Sequence, residues 1–418
     1  MSAYRERIAE HVIRDSLSTF GAVVIEGARA VGKTTLGRQV TASSVRLDSS
    51  PQLAELAEVS PEAVLRGPPP RLVDEWQLAP SLWNAVRHEV DERGTPGQFV
   101  LTGSATPADD VTRHSGAGRF RRVTLRPMAL AESGESTATV SLRALLDGEK
   151  VAGVGGPTVP ELVGSMVRGG WPALVTQPTR SAAQYLGAYL DDIARVDLPG
   201  ADLKVDPARM RELIRALARN VSTEAKATLL ARESGLDGNG PAVSAQSVRR
   251  YLDALTRVFV VEPQPAWTPH LRSSVRLRVT PKWHFTDPSL ACAALGASDE
   301  ALLTDPETLG LLFESMCVRD LRVYGQVLDA SVCHYRDDAG LEVDAIVELR
   351  DGRWAAFEIK LGGERAIDRA AGNLRQLARK VAPTRSAQLC SLAVLTGGAL
   401  SYTRSDGVNV VALGHLGP

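Results

Sequence analysis

Between residues 22 and 105 the chain alternates short apolar runs with amphipathic stretches. AVVIEG (22–27) leads into TTLGRQV, VRLD (45–48) precedes PQLAELAEVSPEAVLRG, RLVDEW (71–76) precedes SLWNAVRHEVDERG, and FVLTGS (99–104) closes the series. Strand-like runs separated by helical periods predict a parallel sheet with crossover helices. An Arg-rich, Gly-punctuated stretch over 106–130 ends in one more strand-like run, RFRRVTLRP. From 131 to 204 the period is helical with Gly-Pro interruptions, which reads as a helical lid and connector.

The pattern changes over 205–290, where MRELIRALARNV, EAKATLLARESG and SAQSVRRYLDALTRVFVV precede two strand-like stretches ending in PKWHFTD. Three helices followed by a hairpin is the order of a winged helix-turn-helix. Residues 306–418 read as a helix, three strands (SVCHYRD, VDAIVEL, WAAFEIK), a second helix and two further strands. The expected fold is therefore α/β, with a parallel-sheet domain over 1–130, the lid over 131–204, the winged helix over 205–290 and a second α/β domain over 306–418.

Bulk properties narrow the setting. The 418 residues, 44% hydrophobic and 23% charged, suit a chain of several globular domains. A net charge of −1 gives no global attraction to nucleic acid or membrane, so any basic surface must be local. Cys292, Cys317, Cys333 and Cys390 have no metal-ligand spacing and fit reduced thiols. The charged amphipathic N-terminus is unlike a signal peptide, and no run of about 18 apolar residues occurs, so no membrane contact and a cytoplasmic location are expected.

The run Gly27-Ala28-Arg29-Ala30-Val31-Gly32-Lys33-Thr34 matches GxxxxGK[ST] between an apolar strand and a helix, with Thr35 following. Glycines let the backbone curl until its N–H groups face phosphate oxygens, and the helix start adds positive potential. Lys33 would neutralise the β- and γ-phosphates of ATP, and the Thr34 hydroxyl would ligate Mg2+. Asp74 and Glu75 end the strand RLVDEW, where one carboxylate can hold magnesium and the next can polarise the attacking water. Thr102 and Ser104 end the following strand, either as contacts to phosphate or water or as an ordinary Ser/Thr turn. Arg119 is a candidate arginine finger, with Arg113, Arg121 and Arg122 as rivals and a solvated basic loop as the alternative.

In the last unit Asp344 precedes a turn near Asp351-Gly352, and Glu358 and Lys360 follow it on the next strand. Alternation along a strand puts Glu358 and Lys360 on one face, and a hairpin brings Asp344 beside them, with Glu314 on the preceding helix within reach. An Asp plus ExK on a hairpin is the constellation of metal-dependent phosphodiesterases, with Asp344, Glu358 and Glu314 as metal ligands. Whether such a site cleaves is open at this level. Upstream, Arg249 and Arg250 on the third helix, and Arg272, Arg276, Arg278 and Lys282 in the wing, form a basic set interleaved with Trp267 and Trp283. That set suits phosphate contacts, although winged helices also dock proteins.

Taken together, GARAVGKTT, LVDEWQLAP, FVLTGSA, GGWPALV, YLDDIARVDL, SVRRYLDALTRVFVV, PKWHFTD and YRDDAGLEVD with FEIK resemble a prokaryotic family of AAA-type ATP-binding proteins whose C-terminal domain has no known function and a nuclease-like end. The resemblance runs over nearly the full chain and implies an AAA-type P-loop ATPase core over 1–130 and a restriction-endonuclease-like α/β domain over 306–418, but no substrate. Trp76 stands where that family has an aliphatic residue, and Trp171 where tyrosine is common. The expected activity is ATP- and Mg2+-dependent action on nucleic acid, DNA first, by a homo-oligomer or ring. The alternatives are a nucleotide-regulated switch with a non-cleaving terminus, or an ATPase remodelling a protein partner.

Overall fold

A computed structural model describes residues 4–103, 116–197, 206–235, 243–269 and 280–418. It falls into two compact units, residues 1–127 with 257–259, and residues 128–256 with 260–418.

The first unit is built on five parallel strands: β1 (Ala22–Glu26), β2 (Ser43–Arg46), β3 (Arg71–Asp74), β4 (Phe99–Gly103) and β5 (Phe120–Thr124). Their order across the sheet is β2-β3-β4-β1-β5. Helices α1 (Ile8–Leu17), α2 (Lys33–Gln39), α3 (Pro51–Val59), α4 (Pro61–Leu65) and α5 (Ser81–Arg93) surround it. The central strands are buried on both faces, which is why AVVI and FVLT carry no polar alternation. One side of the sheet packs on Trp76, Leu82, Trp83 and Val86, and Trp83 stacks on Phe120 with ring centroids 4.2 Å apart. β3 and β4 are in register with Asp74 opposite Thr102, and β4 and β1 with Thr102 opposite Ile25. The strand ends that follow these residues form one edge, where parallel α/β sheets place their ligands.

The second unit carries a seven-stranded sheet in the order β10-β11-β12-β13-β15-β14-β7. Here β7 is Ala152–Val154, β10 Ser331–Arg336, β11 Glu342–Glu348, β12 Trp354–Lys360, β13 Leu389–Thr396, β14 Leu400–Thr403 and β15 Asn409–Ala412. Two short pairs accompany it: β6 (Val140–Ser141) with β16 (Leu416–Gly417), and β8 (Val261–Gln264) with β9 (Lys282–Phe285). The stretch expected to be a helical lid and connector does hold helices, Val159–Arg168 and Thr179–Asp192 among them. It also supplies β6 and β7, which join the chain's last strands. The helix Pro306–Gln326, the hairpins β10–β11–β12, the helix Glu364–Lys380 and β13 follow one another as the periodicity predicts. Three helices, Pro207–Arg219, Ala227–Glu233 and Ala245–Arg257, precede β8 and β9.

An ion cluster without solvent contact ties this unit together. Arg319 donates to Asp287 Oδ2 and to Asp320 Oδ1, each at 2.8 Å. Asp287 Oδ2 also accepts from Gly170 N, and Asp320 Oδ2 from Leu130 N, so the charges are shared with backbone amides. Burial works against the Arg319 charge, yet Asp320 and Asp287 outweigh it and hold the guanidinium charged. Trp171 lies in the same region, with its ring nitrogen donating to Ser289 Oγ at 3.1 Å.

Candidate functional site

The loop after β1 has the backbone that its glycines allow. Gly27 has φ 152 and Gly32 φ 96, and a Cβ at Gly27 would meet the Leu125 carbonyl oxygen at 2.2 Å. Ala30 also takes a positive φ of 63, so the turn is tight without a glycine at that step. Lys33 Nζ lies against the loop, donating to Gly27 O at 2.9 Å and Ala28 O at 2.8 Å. Burial lowers the Lys33 ammonium to about 8, with Glu75 and Asp74 pulling it back up. A buried Arg7, which the sequence pattern did not single out, fixes the loop from behind: Nη1 donates to Val31 O at 3.0 Å and Nη2 to Arg126 O at 2.6 Å.

Asp74 is 1% exposed and stands at the end of β3. Its Oδ1 accepts from the Thr34 hydroxyl at 2.9 Å and from the Thr102 hydroxyl. Its Oδ2 has no hydrogen bond, and the nearest cation is Arg46 Nε at 3.6 Å. A buried carboxylate oxygen with no donor costs free energy unless a cation supplies the missing partner. Thr34 and Asp74 therefore fit the oxygen-rich ligation that magnesium takes beside phosphates. Thr102 touches Asp74, so in this arrangement its hydroxyl fixes the carboxylate. Glu75 has φ 57, a left-handed conformation that costs a non-glycine residue about 1–2 kcal/mol. Such backbone recurs at functional sites because the surroundings can enforce a side-chain direction. Its Oε2 accepts from Gln77 Nε2.

Arg119 lies elsewhere. It precedes β5, its carbonyl accepts from Ala22 N, and that places it at the end of the sheet opposite the loop after β1. Its guanidinium grips Asp91 on α5 at 2.8 and 3.2 Å. A role toward its own P-loop is therefore excluded by the strand direction. Arg122 pairs with Glu26 at 2.9 Å. Ser104 and Arg113 lie outside the described residues.

In the second unit the antiparallel register that pairs Ala345 with Phe357 sets Asp344 beside Glu358 one step further on. Lys360 Nζ is 2.9 Å from Asp344 Oδ2 and 2.7 Å from Glu358 Oε2. Asp344 Oδ2 also accepts from Ile359 N, and Glu358 Oε1 from Asn373. The expected convergence of these three residues, with Glu314 nearby, is present. A second ammonium belongs to the same cluster. Lys282 Nζ lies 2.8 Å from Glu314 Oε1, 2.8 Å from Glu342 Oε1 and 3.6 Å from Asp344 Oδ1. Among the described residues no group of three or more His, Cys, Asp or Glu is arranged to hold a metal ion. The reading of Glu314, Asp344 and Glu358 as a metal set is therefore corrected: lysine nitrogens lie between the oxygens. Burial works against the Lys282 charge, but Glu314, Asp344 and Glu342 outweigh it and hold the ammonium far above its ordinary range. Burial raises Glu314 to about 8, which Lys282 tempers, and raises Glu358 to about 7, with Asp344 adding and Lys360 opposing. Asp344 stays below its ordinary value because Lys282 and Lys360 together overcome its burial.

This overturns the placing of Lys282 in a basic wing. The residue is 2% exposed and faces inward from β9, so it has no surface to offer a phosphate. Trp267 is corrected likewise, since it is buried against Trp354 at 4.7 Å and its ring nitrogen donates to Glu348 Oε2. The base of the hairpin is fixed on the terminal sheet: Gln264 donates to Cys333 O and Asp344 O, and Trp267 N donates to His334 O. Arg249 and Arg250 are exposed on the helix Ala245–Arg257. Arg272, Arg276 and Arg278 lie outside the described residues. All four cysteines are free thiols, and no described helix is long and apolar enough to cross a membrane.

Three stretches of the chain match known families. Residues 19–133 match an AAA domain family, residues 160–301 a domain of unknown function (DUF8612), and residues 309–416 a domain of unknown function (DUF4143). Uncharacterized protein Rv2008c of Mycobacterium tuberculosis is 27% identical over 408 residues, covering 96% of this chain and 81% of the relative. Uncharacterized protein Mb2031c of Mycobacterium bovis matches to the same extent, 27% over 408 residues. Among solved structures, the Walker-type ATPase paby2304 of Pyrococcus abyssi aligns at 14% identity and a TM-score of 0.43 over 70% of this chain and 96% of that one. The Aeropyrum pernix ORC1 protein, solved in complex with DNA, aligns at 11% identity and a TM-score of 0.29 over 73% and 94%. The chain is thus similar to an AAA-type P-loop domain in its first unit and to a DUF4143 domain at its end.

Proposed function

We propose that the chain is a magnesium-dependent ATPase that couples hydrolysis to an action on nucleic acid, with DNA as the first candidate. The observation that carries the ATPase reading is Asp74: one oxygen bound by Thr34 and Thr102 hydroxyls, the other buried without a donor, beside a GxxxxGK[ST] loop. When bound, magnesium would screen phosphate charge and orient the β- and γ-phosphates. Thr34 and Asp74 would hold it, directly or through water. Lys33 would leave the loop carbonyls for the phosphate oxygens, which are stronger acceptors. Glu75 would orient and deprotonate the attacking water. Arg119 can serve as a finger only on a neighbouring copy's nucleotide, after release from Asp91, so the reading includes a homo-oligomer.

The nucleic-acid half is supported by exposed Arg249 and Arg250 on the third of three helices that precede a hairpin, the order of a winged helix. Arg272, Arg276 and Arg278 belong to the same reading. For the terminal domain, two lysines among its carboxylates favour the alternative in which it binds without cutting. Phosphate release by purified protein, with and without duplex and single-stranded DNA and RNA, tests both halves. Magnesium-dependent turnover stimulated by one of these polymers is expected. Turnover indifferent to all of them, with no binding to any, ends the nucleic-acid half, and no turnover at all ends the ATPase half.

A further inference from the structure

We propose that Lys282 is a built-in cation that fills the divalent-metal position of the C-terminal carboxylate site, and that removing it uncovers a latent metal site. This deepens the non-cleaving reading of the terminal domain and is independent of the ATPase reading. The terminal domain brings Glu314 from the helix Pro306–Gln326, Glu342 and Asp344 from β11, and Glu358 from β12 to one place. Ionised together, four carboxyl groups at this separation repel one another, and the low-dielectric surroundings intensify the repulsion. Keeping them ionised requires positive charge among them.

Two cations can meet that need. Lys360, from the same hairpin, sits at its outer side, with a side chain 34% exposed and bonds to Asp344 and Glu358. Lys282 enters from β9, a strand outside the hairpin, and its side chain is 3% exposed. Its Nζ touches Glu314 and Glu342 and lies 3.6 Å from Asp344 Oδ1, the oxygen that Lys360 leaves alone. The ammonium thus has oxygen neighbours from two separate elements of the domain, which is the position a shared divalent ion would take. An ammonium there is covalently tethered, so its effective concentration at the site is high and a dilute solvent ion competes poorly with it. It also neutralises charge without acidifying water, because an ammonium nitrogen has no vacant position at which to bind water as a metal ion does. The backbone of β9 leaves Lys282 no short route out, as Trp283 pairs with Thr223 and Gln264 pairs with Lys282 across the hairpin.

The test measures Mn2+ binding to the full chain without nucleotide, by loss of the free-ion electron paramagnetic resonance signal. Asp344→Asn serves as the reference that removes the C-terminal site while keeping the P-loop. Wild type should bind no more Mn2+ than Asp344→Asn. Lys282→Met should gain one ion per chain, with affinity raised roughly tenfold or more over wild type, and should lose it again when combined with Asp344→Asn. The same ion should raise the melting temperature of Lys282→Met and leave that of wild type unchanged. As a second variant that is less charge-imbalanced, Lys282→Met with Glu342→Gln removes one charge of each sign and should show the same gain. Wild type binding one Mn2+ that Asp344→Asn abolishes overturns the proposal whatever the variants do. So does either Lys282 variant, folded by circular dichroism, that gains no ion.

Discussion

Asp74 and Asp344 are both buried aspartates on sheet strands, and they differ in what surrounds them. Asp74 is bounded by two hydroxyls, neutral donors that satisfy one oxygen, and its other oxygen faces only a half-exposed Arg46 guanidinium at 3.6 Å, beyond hydrogen-bond reach. Asp344 is bounded by two ammonium groups and a backbone amide, which satisfy hydrogen bonding and charge together. The first environment leaves a carboxylate oxygen open to a cation from outside, and the second is filled by buried ammonium groups. The difference follows from which residue types reach each site: Thr34 and Thr102 in one unit, Lys282 and Lys360 in the other. A carboxylate in a pattern typical of metal enzymes is therefore not evidence for a metal until its neighbours are counted.

The sharpest way to break this comparison is to neutralise Asp74. Asp74→Asn keeps the shape and removes the charge, so phosphate release should fall on the order of a thousandfold while binding of an ATP analogue changes little. Nucleotide-free stability should stay within about 1 kcal/mol of wild type, since the charge has no ion pair in hydrogen-bond contact to lose. Retained turnover would remove Asp74 from the mechanism. On the other side, Lys282→Ala should cost about 3–5 kcal/mol in urea unfolding, because Glu314, Glu342 and Asp344 are left facing one another. A loss below about 1 kcal/mol would show that the cluster is not balanced from within.

A third prediction concerns acid. His334 is fully buried, and burial, helped by Lys282 and opposed by Glu342, lowers it to about 4. Its folded-state value lies below the ordinary 6.5, so between the two the unfolded chain holds the extra proton. Stability from this group is complete above about pH 6.5 and is lost as pH falls toward 4, to the extent of roughly 3 kcal/mol at about 1.4 kcal/mol per unit. His284, also buried and held neutral chiefly by desolvation, acts in the same direction. Unfolding curves at stepped pH should show this slope, and His334→Gln should flatten it in part. The smallest effect expected is at Thr102. Thr102→Val deletes one donor to Asp74 and should cost about 1 kcal/mol with a several-fold drop in turnover. An unchanged rate would leave Thr34 alone as the hydroxyl that matters.

Local sequence carried much of this layout. The P-loop was legible because Gly27, Gly32, Lys33 and Thr34 are contiguous and their roles follow from backbone geometry. The β11–β12 hairpin was legible because strand alternation and one turn bring Asp344, Glu358 and Lys360 together. Lys282 was not, because its burial depends on Glu314 and Glu342, which reach it only once the chain has folded back. In sequence it sits near arginines, and a lysine in that company reads as surface charge. The position of Arg119 was illegible for a related reason: Asp91, its partner, comes from helix α5, and only strand direction shows which end of the sheet it occupies. Arg7 gave no signal at all, since an arginine before an amphipathic helix is common and its acceptors are two backbone carbonyls.

The short strands β6 and β7 have a practical consequence. β14 carries partly exposed Leu400 and Tyr402, and β7 lies along its open side. A fragment cut at residue 306 to isolate the terminal domain would keep β14 and lose its cover. A bare, apolar strand edge recruits other chains, so that fragment should precipitate. Starting near residue 128 keeps both short strands with their partners, and that fragment should stay dispersed at concentrations where the shorter one does not.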